Sequence, residues 1–245
     1  EHLFSGNRSS ARELLFNAND RGFGAERLLT HIVWPAMEQI ETLYRKDRIS
    51  KITEHMATRI NRMLANQLQQ VLRRNPQNGR RIVVLCGDDE RPELGAQIMT
   101  DLFEAQGWSV WFVGGGVAND EILKFVGQVK PDVLMVHSSL PPEVPDVRKL
   151  IQMIREVGIC EKMQIMVCGG IYNRAEDLAE EIKADLFAHD PKEALCLVEQ
   201  SPPRIPRDDK PEPGRRRKRK KKRELVKIQE LRERLGVPAD TTEEV

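Results

Sequence analysis

Glutamate, histidine and serine set among clustered glycines are the residues of this 245-residue chain most able to do chemistry. Glu54 and His55 are adjacent, and Tyr44 precedes them. His137 is followed by Ser138 and Ser139, and Cys168 by Gly169 and Gly170. Gly87-Asp88-Asp89-Glu90-Arg91-Pro92-Glu93-Leu94-Gly95 places carboxylates between glycines, and Gly114-Gly115-Gly116 adds a further cluster. A neutral imidazole is a common metal ligand. Glycine clusters let a flat or bulky ligand approach the backbone and supply positive φ angles in tight turns. Taken singly each group is weak: a diglycine after a strand is usually a plain turn, and a Ser-Ser pair is usually a solvated loop. Glu54-His55 read on its own is an exposed helical pair.

Other chemistries find less support. Gly114 to Gly116 is not the G-x-G-x-x-G pattern, and no Walker-type Lys-Ser/Thr follows the first strand. His2, His31 and His189 show no metal-ligand spacing with each other or with the cysteines. The order of residues argues for no nucleophile–base–acid triad, so catalysis by side chains is not indicated.

The elements that hold these residues follow from hydrophobic period. Leu14, Leu15, Ala18, Leu28, Leu29, Ile32, Val33, Ala36, Met37, Ile40 and Leu43 recur at three- and four-residue spacing, the stripe of core-facing helices. Breaks at residues 19–24 and 47–50 divide the run, and Ser50 or Thr53 is placed to cap a helix carrying Ile52, Met56, Ile60, Met63, Leu64 and Leu68. Residues 1–74 are therefore expected to form a helical bundle. Asn75-Pro76-Gln77-Asn78-Gly79 reads as a linker.

Strands and helices then alternate across 80–200. The expected strands are 82–86, 109–113, 132–137, 164–168 and 185–188. The expected helices are 92–106, 118–128, 144–157, 174–183 and 191–199, with Cys86 to Pro92 as the first loop and Pro92 opening the first of these helices. Such alternation implies right-handed βαβ units, an α/β fold with a five-stranded parallel flavodoxin-like sheet covered on both faces. Ligands of such sheets bind at the carboxyl edge, where the three glycine groups and the His137-Ser138-Ser139 loop fall.

Composition sets the outer limits. No apolar run approaches the ~20 residues that span a bilayer, and no export signal is visible, so a cytoplasmic protein without a membrane partner is expected. Four cysteines stand far apart with no C-x-x-C, which reads as thiols in a reducing compartment. The net charge is +1, yet Arg215 to Arg223 carries nine positive charges in succession, leaving −8 for the rest. Residues 201–245 are expected to lack fixed structure, with Leu225, Ile228, Leu231 and Leu235 at helical spacing near the end. A run of nine cations repels itself until it meets a polyanion, so contact with nucleic acid through Arg215 to Arg223 is expected.

Trp34-Pro35-Ala36-Met37-Glu38-Gln39-Ile40, then Tyr44, then Glu54-His55-Met56-Ala57-Thr58 resembles a Pro-Ala-Met…Trp…Glu-His-x-x-(Ser/Ala/Thr) signature. That signature belongs to the cobalamin-binding module shared by methionine synthase, corrinoid proteins and light-sensing cobalamin-dependent transcription repressors. The resemblance covers roughly residues 5–200 and implies a helical cap over a flavodoxin-like domain. It implies cobalamin as cofactor, with Tyr44, Glu54 and His55 above the corrin ring. Glu90, Arg91, Pro92, Leu94 and Gly95 would lie below it, and Gly114, Ser138, Ser139, Gly169 and Gly170 would line the groove for the nucleotide tail. In this alignment Pro92 stands where the family's cobalt-binding histidine belongs, and proline has no lone pair for a metal. His137 is the first substitute ligand and His55 the second. The reading that follows is a non-enzymatic cobalamin-binding sensor or regulator linked to transcription, able to form a homo-oligomer. The rivals are a corrinoid carrier for methyl transfer and a degenerate module without corrinoid.

Overall fold

Helix α1 (Arg8–Ala18) starts where the Asn7 side chain accepts from the Ser10 N–H at 3.1 Å, a normal N-cap. Gly22 and Gly24, both at positive φ, turn the chain. It continues through α2 (Ala25–Leu28), a π-helical turn (Leu29–Val33) and α3 (Trp34–Arg45). Pro35, one residue into α3, has no N–H to give the preceding turn. The wide turn sits at that mismatch, and Asn61 donates its side-chain amide to the Val33 carbonyl at 2.9 Å. Helix α4 (Lys51–Gln69) begins at Ser50, whose hydroxyl accepts from the Thr53 N–H. Its apolar face, Ala57, Ile60, Leu64, Ala65 and Leu68, is buried.

The computed structural model describes residues 1–87, 90–175 and 177–205, without the side chains of residues 90–92. Five parallel strands, β1 (Arg81–Cys86), β2 (Ser109–Gly114), β3 (Val133–His137), β4 (Gln164–Cys168) and β5 (Leu186–Ala188), lie in the order β2-β1-β3-β4-β5. Period-two alternation sends their side chains into two cores. Val83, Leu85, Leu134, Val136, Ile165 and Val167 face α6 (Asn119–Val129) and α7 (Val144–Val157). Ile82, Val84, Met135 and Met166 face α5 (Glu90–Ala105) and α10 (Pro191–Gln200). The second core runs on without interruption into Leu15, Leu28, Leu29, Val33, Trp34, Leu64 and Leu68 of the bundle. Each such side chain, fully buried, contributes about 1.5–3 kcal/mol relative to leaving it in water. Bundle and sheet therefore share a core, and residues 1–206 form one compact unit.

The flavodoxin-like sheet is as expected, with several local differences. The first loop is shorter: Cys86 still belongs to β1 and α5 starts at Glu90, not Pro92. The helix expected over 174–183 is two short ones, α8 (Gly170–Arg174) and α9 (Leu178–Glu181), because Ala175 leaves helical geometry at φ −136° and ψ 84°. The 75–79 segment is pinned, since the N–H groups of Asn75 and Asn78 donate to the carbonyls of Ala105 and Gly107. Residues 201–205 form no helix or strand but touch the sheet domain: Arg204 pairs with Asp185 at 3.1 Å, and Gln164 donates to the Pro202 carbonyl at 2.8 Å. The expectations for the rest of the tail, with the basic run 215–223 and the apolar spacing after it, lie outside the described residues. Among the described residues no helix is long and apolar enough to cross a membrane.

Candidate functional site

Strand order fixes where a ligand can sit. From β1 the chain crosses to β2 on one side and returns to β3 on the other, so the carboxyl ends of β1 and β3 diverge as neighbours. That divergence is the crevice of an open α/β sheet. His137 ends β3 there, in register with Cys86 of β1 and Cys168 of β4. All three are buried, and His137 is 1% exposed. The row is no metal centre, because among the described residues no cluster of three ligating side chains forms.

The helical cap comes down on this edge. Trp34 meets the His137 ring edge-on, with centroids 5.9 Å apart and planes at 88°. Around that contact Met37, Glu38, Ile40 and Glu41 of α3 and Glu54 and Thr58 of α4 face Ser139, Gly169 and Gly170 across a narrow cavity with a free volume of about 20 Å3. Glu54 is buried, and Thr58 donates to its carboxylate at 3.4 Å. Burial pushes the Glu38 carboxyl above its ordinary pKa, with a partial offset from the Trp34 side chain. Arg174 of α8 closes one side, donating to Glu41 at 2.8 Å and to the Ser139 carbonyl at 2.6 Å.

Below the cavity the loops are tied down. The Glu143 carboxylate accepts from the N–H groups of Ser139 and Leu140 at 2.9 and 3.2 Å, and it lies against Gly87, where a Cβ would collide with it. Gly169, at φ 106°, leaves no space for a Cβ against the Ser138 backbone. A Cβ on Gly95 would run into Nε2 and Cε1 of His137. Ser138 is fully buried beside the Tyr172 hydroxyl, whose pKa burial raises.

The expected site residues separate into groups. Glu54, His137, Ser139, Gly169 and Gly170 line the cavity, and Gly95 backs it through His137. Leu94 is fully buried in the shared core, and Ser138 lies one layer below the lining. Tyr44 is half-buried and His55 exposed, its ring 3.6 Å from the Glu54 carboxylate; neither lines the cavity. Gly114 ends the edge strand β2 with open space where its Cβ would point, away from the lining. The side chains of Glu90, Arg91 and Pro92 lie outside the described residues. Sequence reading did not single out Glu41, Glu143 or Arg174, whose roles depend on long-range contacts, and quoted Glu38 and Thr58 only within the signature, without a site role.

As arranged here, the cavity does not fit a corrinoid. Sites for drug-sized ligands run to about 300–1,000 Å3, and a corrin with its side chains exceeds such a ligand, whereas this space has about 20 Å3 of free volume. The glycine cradles are filled by His137, the Ser138 backbone and the Arg174–Glu41 pair. A macrocycle enters only if cap and sheet edge part.

Two regions of the chain match known domain families. Residues 80–198 match a family described as B12 binding domain, and residues 1–69 match a second family of the same description. Over 108 residues the chain is 22% identical to dimethylamine corrinoid protein 3 of Methanosarcina mazei and to dimethylamine corrinoid protein 1 of Methanosarcina acetivorans. The stretch takes in 44% of this chain and 64% and 50% of those proteins, so less than two thirds of either relative is spanned. The structure of Methanosarcina barkeri monomethylamine corrinoid protein superposes with a TM-score of 0.72 at 18% identity, over 80% of this chain and 93% of that one. Two adjoining regions of this chain thus match B12 binding domains, the helical residues 1–69 and the flavodoxin-like residues 80–198, with a corrinoid as cofactor.

Proposed function

We propose that the protein is a corrinoid carrier in methyl transfer: it holds the corrinoid between cap and sheet edge and presents it to a separate methyltransferase. On this reading it is not itself an enzyme. The observation that carries the proposal is the convergence of Trp34 and Glu54 of the cap with His137 and Gly169–Gly170 of the sheet edge on one cavity at the β1/β3 crevice. The names of the dimethylamine corrinoid proteins support it. They favour a carrier over the sensor of transcription that the Glu54-His55 signature led us to expect. Glu54 and Thr58 would face the ring from above and Ser139, Gly169 and Gly170 from below. The corrinoid supplies the cobalt chemistry, and the chain's residues supply enclosure.

The test is reconstitution of the purified chain with hydroxocobalamin and methylcobalamin in the dark, followed by gel filtration and visible spectroscopy. Co-elution of corrinoid, and passage of its methyl group to or from an added methylamine-type methyltransferase, is the expected result. Failure of every corrinoid to co-elute would reject the proposal.

The regulatory reading keeps one supporting observation, the nine consecutive cations of Arg215 to Arg223, which suit a nucleic acid partner. It calls for salt-sensitive binding to DNA that changes when adenosylcobalamin is added or illuminated. Binding to DNA indifferent to corrinoid and light would leave the carrier reading alone.

A further inference from the structure

Helix α4 buries one face in the shared core, yet the opposite face is not wholly polar. Ile52, Met56, Arg59 and Met63 follow one another at i, i+4, i+7 and i+11. At 100° per residue they fall on one stripe about 60° wide. Ile52 is 74% exposed and Met56 39%, and Met63 is half-buried. Helix α1 packs beside this stripe. Its Arg8 and Arg12, one turn apart, each donate from a guanidinium nitrogen to Met63 Sδ at 3.5 Å. The turn before α1 meets the stripe as well, since a Cβ on Gly6 would touch Met56 Sδ.

The two guanidinium groups are held where little in the chain favours them. A thioether is a weak acceptor. Cations one helical turn apart repel each other. Arg8 is the first residue of α1, at the positive end of the helix dipole, and the first turn has no acidic residue. Among the described residues no carboxylate pairs with Arg8 or Arg12, whereas Arg62 of α4 has Glu93 at 3.1 Å.

What this face lacks is negative charge, and what it offers beside its arginines is aliphatic and thioether surface. Methionine and arginine are enriched in protein interfaces, where lysine and carboxylates are depleted, and methionine adapts its shape to a partner. A nucleic acid would bring phosphates onto Ile52 and Met56, which gain nothing from them. A second copy meeting the same face across a two-fold axis would set arginine against arginine. We propose that the α1–α4 face of the cap, with Ile52, Met56 and Met63 along it and Arg8, Arg12 and Arg59 beside them, docks a partner protein that presents an apolar side chain ringed by carboxylates. The inference rests on the carrier reading, in which a separate methyltransferase must dock, and it gives that enzyme a place and a surface chemistry.

The experiment measures binding of the full chain, reconstituted with hydroxocobalamin, to a methylamine-type methyltransferase by calorimetry and sedimentation velocity at low and high salt. The same measurements are made on the double variant Arg8→Glu/Arg12→Glu, on Ile52→Ser, and on Arg148→Glu/Lys149→Glu, which changes the net charge equally on α7. A glutamate at the first residue of α1 suits the helix dipole, and Ile52 is exposed, so both test variants should keep the native circular dichroism. The expected result is a complex that weakens with salt. It should weaken about tenfold or more in the arginine variant, measurably in Ile52→Ser, and not in the α7 control. A complex of equal affinity in both test variants would overturn the inference and leave the carrier reading intact. So would methyl passage with no complex detected. Absence of both complex and methyl passage in the native chain would overturn the inference together with the reading beneath it. Self-association of the native chain, or binding of duplex DNA, that disappears in the arginine variant would assign the face to that occupant and overturn the inference.

Discussion

Arg174 and Glu41, 133 positions apart in the chain, meet at 2.8 Å and join the helix after β4 to the cap. The same guanidinium reaches the Ser139 carbonyl at 2.6 Å, so one side chain holds cap, β3 loop and β4 loop together. Both members of the pair are largely withdrawn from water, with Glu41 14% and Arg174 27% exposed at the side chain. Removing one partner leaves the other short of hydrogen bonds, which is where the cost arises. Arg174→Ala should lower stability by about 1–2 kcal/mol. Hydrogen exchange should accelerate in α3 while β1 and β3 keep their protection. Exchange unchanged in α3 would show that the pair does not hold the cap.

Gly95 and His137 form a steric couple. Gly95→Ala places a methyl group on the imidazole, and overpacking of this kind costs about 1–3 kcal/mol. Reducing the ring first should remove the conflict. Gly95→Ala in a His137→Ser background should therefore cost less than in the native chain, with a coupling energy of about 1 kcal/mol or more in a double-mutant cycle. Denaturant unfolding of the four proteins measures it, and additivity would mean that the ring has another place to go.

Asn61 is one of three buried polar residues of α4, with Glu54 and Thr58. It is 1% exposed, and its amide donates to the Val33 carbonyl beside the π-helical turn. Asn61→Leu keeps the branching at Cγ, though with a larger side chain, but leaves that carbonyl without this donor, at a cost of about 1–3 kcal/mol. Thermal unfolding should show a loss of a few degrees, about 2–4 °C for each kcal/mol. No loss would mean that the turn relaxes and finds another donor.

These contacts mark how far the sequence could be read. The strands were legible because β-branched runs such as Ile82 to Leu85 are bounded by glycine and charge, and the bundle because Leu, Ile and Ala recur at helical spacing. His137, Ser139, Gly169 and Gly170 could be placed at one edge because parallel strands all deliver their loops to the same side. Orientation was not legible. Nothing local says that of the adjacent pair Glu54 turns into the cavity and His55 out to solvent, since a helical step of 100° is enough to separate them. Arg174 was overlooked for a different reason. Its meaning lies in Glu41, and no spacing rule links residues so far apart. Gly114 was grouped with the other glycines by composition, whereas its place on the edge strand takes it away from the cavity.

Asp101 provides a pH test of the α5 packing. The residue is 7% exposed, and its Oδ2 has no hydrogen-bond partner among the described residues. Burial raises its pKa to about 7 from 3.8; Glu104 adds to the rise, while Arg74 and Gln97 oppose it. The folded protein therefore holds a proton that the unfolded chain releases at lower pH. The stability linked to this proton is present in full below about pH 4 and is lost as the pH rises through about 7. Asp101→Asn mimics the protonated form at every pH. It should match the native chain near pH 4 and exceed it at pH 8, by on the order of 1–3 kcal/mol. Chemical denaturation at the two pH values measures the difference. A variant no more stable than the native chain at pH 8 would mean that Asp101 is charged in the fold and satisfied there, by Arg74 before any other group.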